Sequence, residues 1–206
     1  MNQVNRHHHG PCQGKGGHRG GASSFWMHDP EVVFEGLALK EGDCFLDMGC
    51  GRGDYAIRAS KIVGNAGRVY ALDKWQPLVD GLKKEAALRG LENLRAIACD
   101  ITQPLPIEDG CVDTCLLSTV LHIFNLSKIG ERLFNEIGRA LRPGGCVAVI
   151  ECKKEYQAFG PPKHMRLSPE EIERVLSPYG FERVDLTDLG YNYMIRFAVD
   201  QGNISF

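Results

Sequence analysis

The sequence predicts an α/β fold: a doubly wound, mostly parallel seven-stranded sheet with a C-terminal antiparallel hairpin and helices on both faces. Three observations carry this. Short apolar runs such as Cys146-Val147-Ala148-Val149-Ile150 alternate with stretches of helical length, and strands buried on both faces read as continuous apolar runs. The first such run leads into Gly49-Cys50-Gly51-Arg52-Gly53, a glycine turn between a strand and a helix. The last two runs are separated by Asp188-Leu189-Gly190, a turn signal.

Taken in order, residues 1–24 stand apart. They hold six glycines and four of the seven histidines with almost no apolar residue, so they cannot offset their ordering entropy by burial. The expectation is a flexible tail over 1–24 followed by one domain over 25–206. His7, His8, His9, Cys12 and His18 are metal-capable types, and the tail reads either as a cover for a site or as a metal or metalloid ligand set. Phe25, Trp26 and Met27 precede a helix start at Asp29-Pro30, with Asp29 as N-cap and the helix running to about Leu39.

From there the elements alternate. Strands are expected at 43–48, 67–73, 93–99, 112–118 and 145–151, and helices at 54–63, 77–89 and 128–141, the last capped by Ser127. Pro77 near the start and Gly90 past the end of the second of these follow the usual asymmetry of helix termini. Ser168-Pro169-Glu170-Glu171 is a capping-box start for a helix to about Tyr179. Strands 181–187 and 191–199 close the chain.

Composition narrows the class. The chain has 206 residues with 43% hydrophobic and 24% charged, enough for one sizeable core. A net charge of −2 gives no footprint for nucleic acid or an anionic membrane. No apolar run reaches the length of a membrane span and the first residues are polar, so a cytoplasmic protein without membrane insertion is expected. Eight cysteines lie at 12, 44, 50, 99, 111, 115, 146 and 152 without a Cys-x-x-Cys pair. Reduced, mostly buried thiols are expected rather than staples or a metal site.

The glycine turn suggests the ligand. Glycines at 49, 51 and 53 let backbone N–H groups come close to a bound molecule. Asp73 lies 24 residues beyond Gly49 at the end of the second strand, where a carboxylate can accept from both hydroxyls of a ribose. A dinucleotide fingerprint needs Gly or Ala where Asp54 stands. Asp47 and Asp54 would also repel a pyrophosphate, whereas a cationic nucleoside carrying a free ammonium suits them. S-adenosyl-L-methionine is such a molecule.

At Asp47 to Gly53 the chain resembles the class I, Rossmann-like methyltransferases, whose glycine motif is Asp-x-Gly-x-Gly-x-Gly. Within them it is most similar to the ubiquinone/menaquinone-biosynthesis-type small-molecule methyltransferases, with Leu141-Arg142-Pro143-Gly144-Gly145 before the fifth strand as a shared feature. The resemblance covers about residues 29–200 and implies sheet order 3-2-1-4-5-7-6. It implies S-adenosyl-L-methionine as cofactor and a small-molecule methyl acceptor as partner. It also implies contacts to the adenine from Asp100 and Ile101, with a cap on the following turn as the plain alternative for Asp100.

Ligands in open parallel sheets sit at the carboxyl ends of the strands. The expected cofactor-binding set is therefore Asp47, Gly49, Gly51, Gly53, Asp73, Lys74, Asp100, Ile101 and Ser118. Ser118-Thr119-Val120-Leu121 occupies the place of the Asn/Asp-Pro-Pro-Tyr/Phe motif of amino-methylating enzymes, so adenine and glutamine lose support as acceptors. His122, Glu151 and His164 are the candidate catalytic residues. His122 is suited by type to act as a base, with a structural histidine as the plain alternative. The long connection from Lys153 to Leu167 is a candidate lid, and its Lys153, Lys154, His164 and Arg166 suggest either an anionic substrate or a solvated face. Two other functions fit the residues. One is a metalloid or thiol methyltransferase of arsenite type using Cys12, Cys99 and Cys152; the other is a non-catalytic cofactor-binding protein with a metal-binding tail.

Overall fold

The computed structural model describes residues 23–155 and 159–199. The expected tail, with Cys12 and its four histidines, lies outside the described residues except for Ser23 and Ser24. Five helices and seven strands follow in the expected alternation: α1 (Pro30–Leu37), β1 (Cys44–Met48), α2 (Asp54–Val63), β2 (Arg68–Asp73), α3 (Gln76–Leu88), β3 (Leu94–Ala98), β4 (Val112–Ser118), α4 (Leu126–Ala140), β5 (Leu141–Cys152), α5 (Pro169–Leu176), β6 (Phe181–Leu189) and β7 (Asn192–Val199).

The strands form one sheet in the order β3-β2-β1-β4-β5-β7-β6. β1 to β5 pair in parallel, and β7 runs antiparallel between β5 and β6. Alternate residues of each strand enter opposite cores. Leu46, Met48, Leu117, Val147 and Ile195 pack with α4 and α5, while Phe45, Val69, Leu116, Ala148 and Met194 pack with α1, α2 and α3. Burial on both faces is why these runs carry no alternation of polar residues.

Helix ends follow local chemistry. Asp29 accepts from the Glu31 amide at 2.9 Å, and Pro30 sits in the first turn. Ala38 turns left-handed at φ 52° and stops α1 just short of the expected Leu39. Ser168 and Glu171 complete a reciprocal capping box on α5, whose expected continuation to Tyr179 is a turn of 3₁₀ helix. At α4 the cap position falls on Asn125 rather than Ser127; the Ser127 hydroxyl donates to Asn125 Oδ1 at 2.6 Å. β5 starts at Leu141, earlier than expected, because Leu141 pairs with Val112 across an irregularity in the ladder.

The β5–β7 register sets the position of the closing hairpin. Cys152 pairs with Asn192, so the β6–β7 turn at Gly190-Tyr191 stands at the carboxyl end of β5. Among the described residues no helix is long and apolar enough to cross a membrane, and the seven described cysteines are free thiols.

Candidate active site

The carboxyl edge of the sheet holds a cleft in two halves. One half, a cavity of about 220 Å³, is walled by Ser23, Ser24, Asp47, Tyr55 and Ser118. The other, about 210 Å³, is walled by Asp73, Lys74, Asp100, Ile101 and Phe124. Gly49, Thr119 and Val120 line both, so the halves meet across the glycine loop.

The loop is built by its surroundings. The Gly49 and Cys50 amides both donate to the Leu72 carbonyl, at 2.7 and 2.9 Å, which ties the turn to the end of β2. Gly49 has φ 75°, and a Cβ there would lie 2.6 Å from Val120 Cγ2. At Gly53, φ 80°, a Cβ would lie 2.5 Å from Leu82 Cδ1. Only glycine satisfies both the left-handed backbone and the close approach. The Gly51 amide donates to Asp73 Oδ2 at 2.9 Å, and the Trp75 amide to Asp73 Oδ1 at 2.8 Å.

Asp47 sits beneath the loop, 1% exposed, and its Oδ2 has no partner among the described residues. Burial raises its carboxyl to about 7, helped by the charges of Asp73 and Asp54 and opposed by a hydrogen bond from the Ala56 amide. Asp54 Oδ2 is a second buried oxygen without a partner. Asp47 walls the first half of the cleft, and an unpartnered acceptor there suits a ligand bearing a cation. Asp100 does cap its turn: Oδ1 accepts from the Thr102 amide and hydroxyl at 2.9 and 2.8 Å, which lowers its carboxyl. It lines the second cavity as well, so the two readings of this residue coexist.

Residues before α1 roof the first half. Ser24 Oγ and Ser118 Oγ are 2.8 Å apart, and the Phe25 ring meets Tyr55 edge-on at 5.0 Å. His28 Nε2 lies 2.7 Å from the Tyr55 hydroxyl, and His28 Nδ1 lies 3.3 Å from Asn192 Nδ2. Burial lowers the His28 imidazole and pushes the Tyr55 phenol up to about 12. Ser23, Ser24 and Tyr55 are cleft residues outside the expected set, whereas Thr119 and Val120 continue the strand-four end that the sequence singles out at Ser118. Of those three, Tyr55 has a positional signal, two residues past the glycine motif. Thr119 holds a left-handed φ of 54°, strained for a β-branched residue at a strand end.

The structure brings two of the three candidate catalytic residues together. His122 Nδ1 lies 2.8 Å from Glu151 Oε2, and the His122 amide donates to Glu151 Oε1 at 3.2 Å. Glu151 is wholly buried. His164 is exposed in a 3₁₀ turn over Lys163–Met165, and none of the three candidates is among the residues that wall either half of the cleft.

Three of the basic residues after β5 have partners within the protein. Lys153 pairs with Asp188 at 2.7 Å and Lys154 with Glu171. Arg166 is 4% exposed and donates to four backbone carbonyls, those of Lys153, Glu155, Phe159 and Pro161. The connection is wrapped around a buried guanidinium. A joint metalloid site on Cys99 and Cys152 also fails on geometry: β3 and β5 are four strands apart in the sheet, about 19 Å at the usual spacing.

The methyltransferase domain family matches over residues 39–195. The chain belongs to that family. This methyltransferase domain is 28% identical to a SAM dependent methyltransferase from Aquifex aeolicus, with a TM-score of 0.78 over 88% of this chain and 95% of that one. The geranyl diphosphate C-methyltransferase of Streptomyces coelicolor, solved with S-adenosyl-L-homocysteine, shares the fold at 19% identity and TM-score 0.65 over 83% and 78% of the two chains. Demethylmenaquinone methyltransferase of Staphylococcus aureus is 31% identical over 58% of this chain. The chain spans about half the length of the curated relatives it matches, 47% in that case. The sheet order is the one the resemblance implied, and the cofactor of the family is S-adenosyl-L-methionine. The methyltransferase cleft fits it, with an orphaned carboxylate oxygen on one side of the glycine loop and an anchored carboxylate on the other.

Proposed function

We propose that this methyltransferase domain passes a methyl group from S-adenosyl-L-methionine to a small, largely apolar acceptor held between the segment after β4 and the loop after β5. The observation that supports the reading most is the pair of carboxylates flanking the glycine loop. Asp47 has a buried oxygen without a partner, ready for an ammonium, and Asp73 keeps lone pairs beyond its two amide donors for ribose hydroxyls. Asp100, Ile101 and Lys74 then face the adenine half, and the Gly49, Gly51 and Gly53 turn carries the chain between the halves. Ser118 stands where the methionyl half meets β4.

Bound S-adenosyl-L-methionine supplies an electrophilic methyl group on a sulfonium. The domain's own task is to align an acceptor with it, and alignment alone is worth about 7–11 kcal/mol in favourable cases. An apolar acceptor is supported by the rim of the carboxyl edge. Trp26, Ile123, Phe159 and Tyr191 are exposed there, at 73%, 53%, 41% and 54%, and Phe159 meets Tyr191 edge-on at 4.7 Å. The Staphylococcus aureus relatives are named for demethylmenaquinone, which suits such a rim. His164 has no part in this reading.

Calorimetric titration with S-adenosyl-L-methionine, followed by a labelled-methyl assay over quinols, phenols, amines and thiols, tests it. Saturable binding and a labelled apolar product are expected; absence of cofactor binding would sink the reading.

A further inference from the structure

We infer that Glu151 is a positioning residue that holds His122 as a proton acceptor, and that the methyl acceptor therefore carries a proton on the atom that is methylated. This rests on the methyltransferase reading and adds to it the chemistry of the acceptor.

Glu151 is fully enclosed at the end of β5, yet no lysine or arginine among the described residues pairs with it. Its two oxygens are each bonded by one residue, His122, through the backbone amide and through ring Nδ1. The groups around it do not share the task. Tyr193, opposite on β7, donates its hydroxyl to the Leu167 carbonyl. The Arg166 guanidinium is spent on backbone carbonyls, and Cys152 next along the strand is a buried neutral thiol. Glu170 and Glu171 lie beyond Tyr193, and Glu171 is committed to Lys154. A buried carboxylate without a cation is costly, and an apolar side chain would fill the same space at less expense. What the carboxylate does is orient one imidazole.

Against an ionised Glu151 the ring has a single tautomer that keeps the Nδ1 contact. An ionised carboxylate only accepts, so Nδ1 carries the proton and Nε2 presents a bare lone pair. Among the described residues Nε2 makes no hydrogen bond. His122 does not itself wall either half of the cleft, but it lies in the chain between Val120, which lines both halves, and Ile123, which lines the second, and its side chain is 12% exposed.

A base so arranged is idle for a thiolate or a tertiary amine, which attack without losing a proton. It is used by a hydroxyl, an N–H or an acidic C–H. With such an acceptor, the acceptor atom bonds to the methyl carbon while the carbon–sulfur pair stays on sulfur. The acceptor's proton moves to Nε2, and the imidazolium formed is stabilised by Glu151.

The test uses the full chain, ring-¹⁵N-labelled at histidine and saturated with S-adenosyl-L-homocysteine. Nitrogen-resolved NMR at pH 8 should show His122 protonated at Nδ1 and bare at Nε2. Glu151→Gln, whose amide can donate to Nδ1, should move the proton to Nε2, and Glu151→Asp should restore the original tautomer. Turnover is then compared on catechol, aniline and 4-nitrothiophenol, the last already ionised at that pH. Catechol or aniline should be the better acceptor and lose roughly 10²–10⁴-fold in kcat with Glu151→Gln, with S-adenosyl-L-homocysteine affinity unchanged. A tautomer indifferent to Glu151→Gln, or a preferred thiol whose turnover ignores it, overturns the inference while cofactor binding keeps the methyltransferase reading intact. Failure of the unmutated chain to bind the cofactor would remove that reading instead.

Discussion

The amide of Gly51 donates to Oδ2 of Asp73 at 2.9 Å, so one carboxylate both anchors the glycine loop and lines the second half of the cleft. Asp73→Ala should therefore act twice. Cofactor affinity should fall at least about tenfold by calorimetry, and the ligand-free domain should lose about 1–2 kcal/mol of stability from the two released amides. Asp73→Asn, which keeps one acceptor, should lie between. Unchanged affinity in Asp73→Ala would remove the residue from the site.

Asp47 sets a pH dependence with a definite sign. Its folded carboxyl, near 7, lies above the ordinary value of about 3.9. Between those two values the folded chain binds more protons than the unfolded one, so this group's contribution to stability declines as pH rises toward 7 and is lost above it. Asp47→Asn should melt several degrees above the parent at pH 8, with the gap closing as the pH approaches 4. Cofactor affinity should move the other way, rising from pH 6 to pH 8 in the parent as Asp47 ionises and staying weak and flat in the variant. A parent affinity independent of pH would show that Asp47 does not meet the ligand's cation.

Arg166 should be a structural nail rather than a ligand for anions. Arg166→Met leaves four carbonyls without their donor and should cost roughly 2–4 kcal/mol. Hydrogen exchange measured by mass spectrometry should quicken across residues 153–155 and 159–161 and stay slow in β1 and β4. Unaltered exchange in that loop would mean the guanidinium is not what shapes it.

Much of the site was legible because it follows strand ends. Asp47 to Gly53, Asp73, Asp100 and Ile101 fall at the carboxyl ends of β1, β2 and β3, and parallel topology delivers them to one edge. The pairings that seat the roof were not legible. Ser24 meets Ser118 across 94 residues, and His28 reaches Asn192 across 164; no local pattern encodes such pairings. The lysines of the β5 connection read as a ligand-binding set because their partners, Asp188 and Glu171, come from later elements. Glu151 was visible as a strand-end carboxylate, but its complete enclosure depends on β7 folding back beside β5. Ser127 was the better cap by position, yet the cap of α4 falls two residues earlier, at Asn125.

The way Arg166 shapes the loop after β5 has a consequence for how such a domain diversifies. Among the described residues, its hydrogen bonds there are all to main-chain oxygen, which all residue types possess alike. The loop's path is thus decoupled from the identity of the side chains it displays. Substitutions at Phe159 or its neighbours can alter what the rim welcomes without dismantling the scaffold beneath, so acceptor preference can drift while the cofactor half stays fixed.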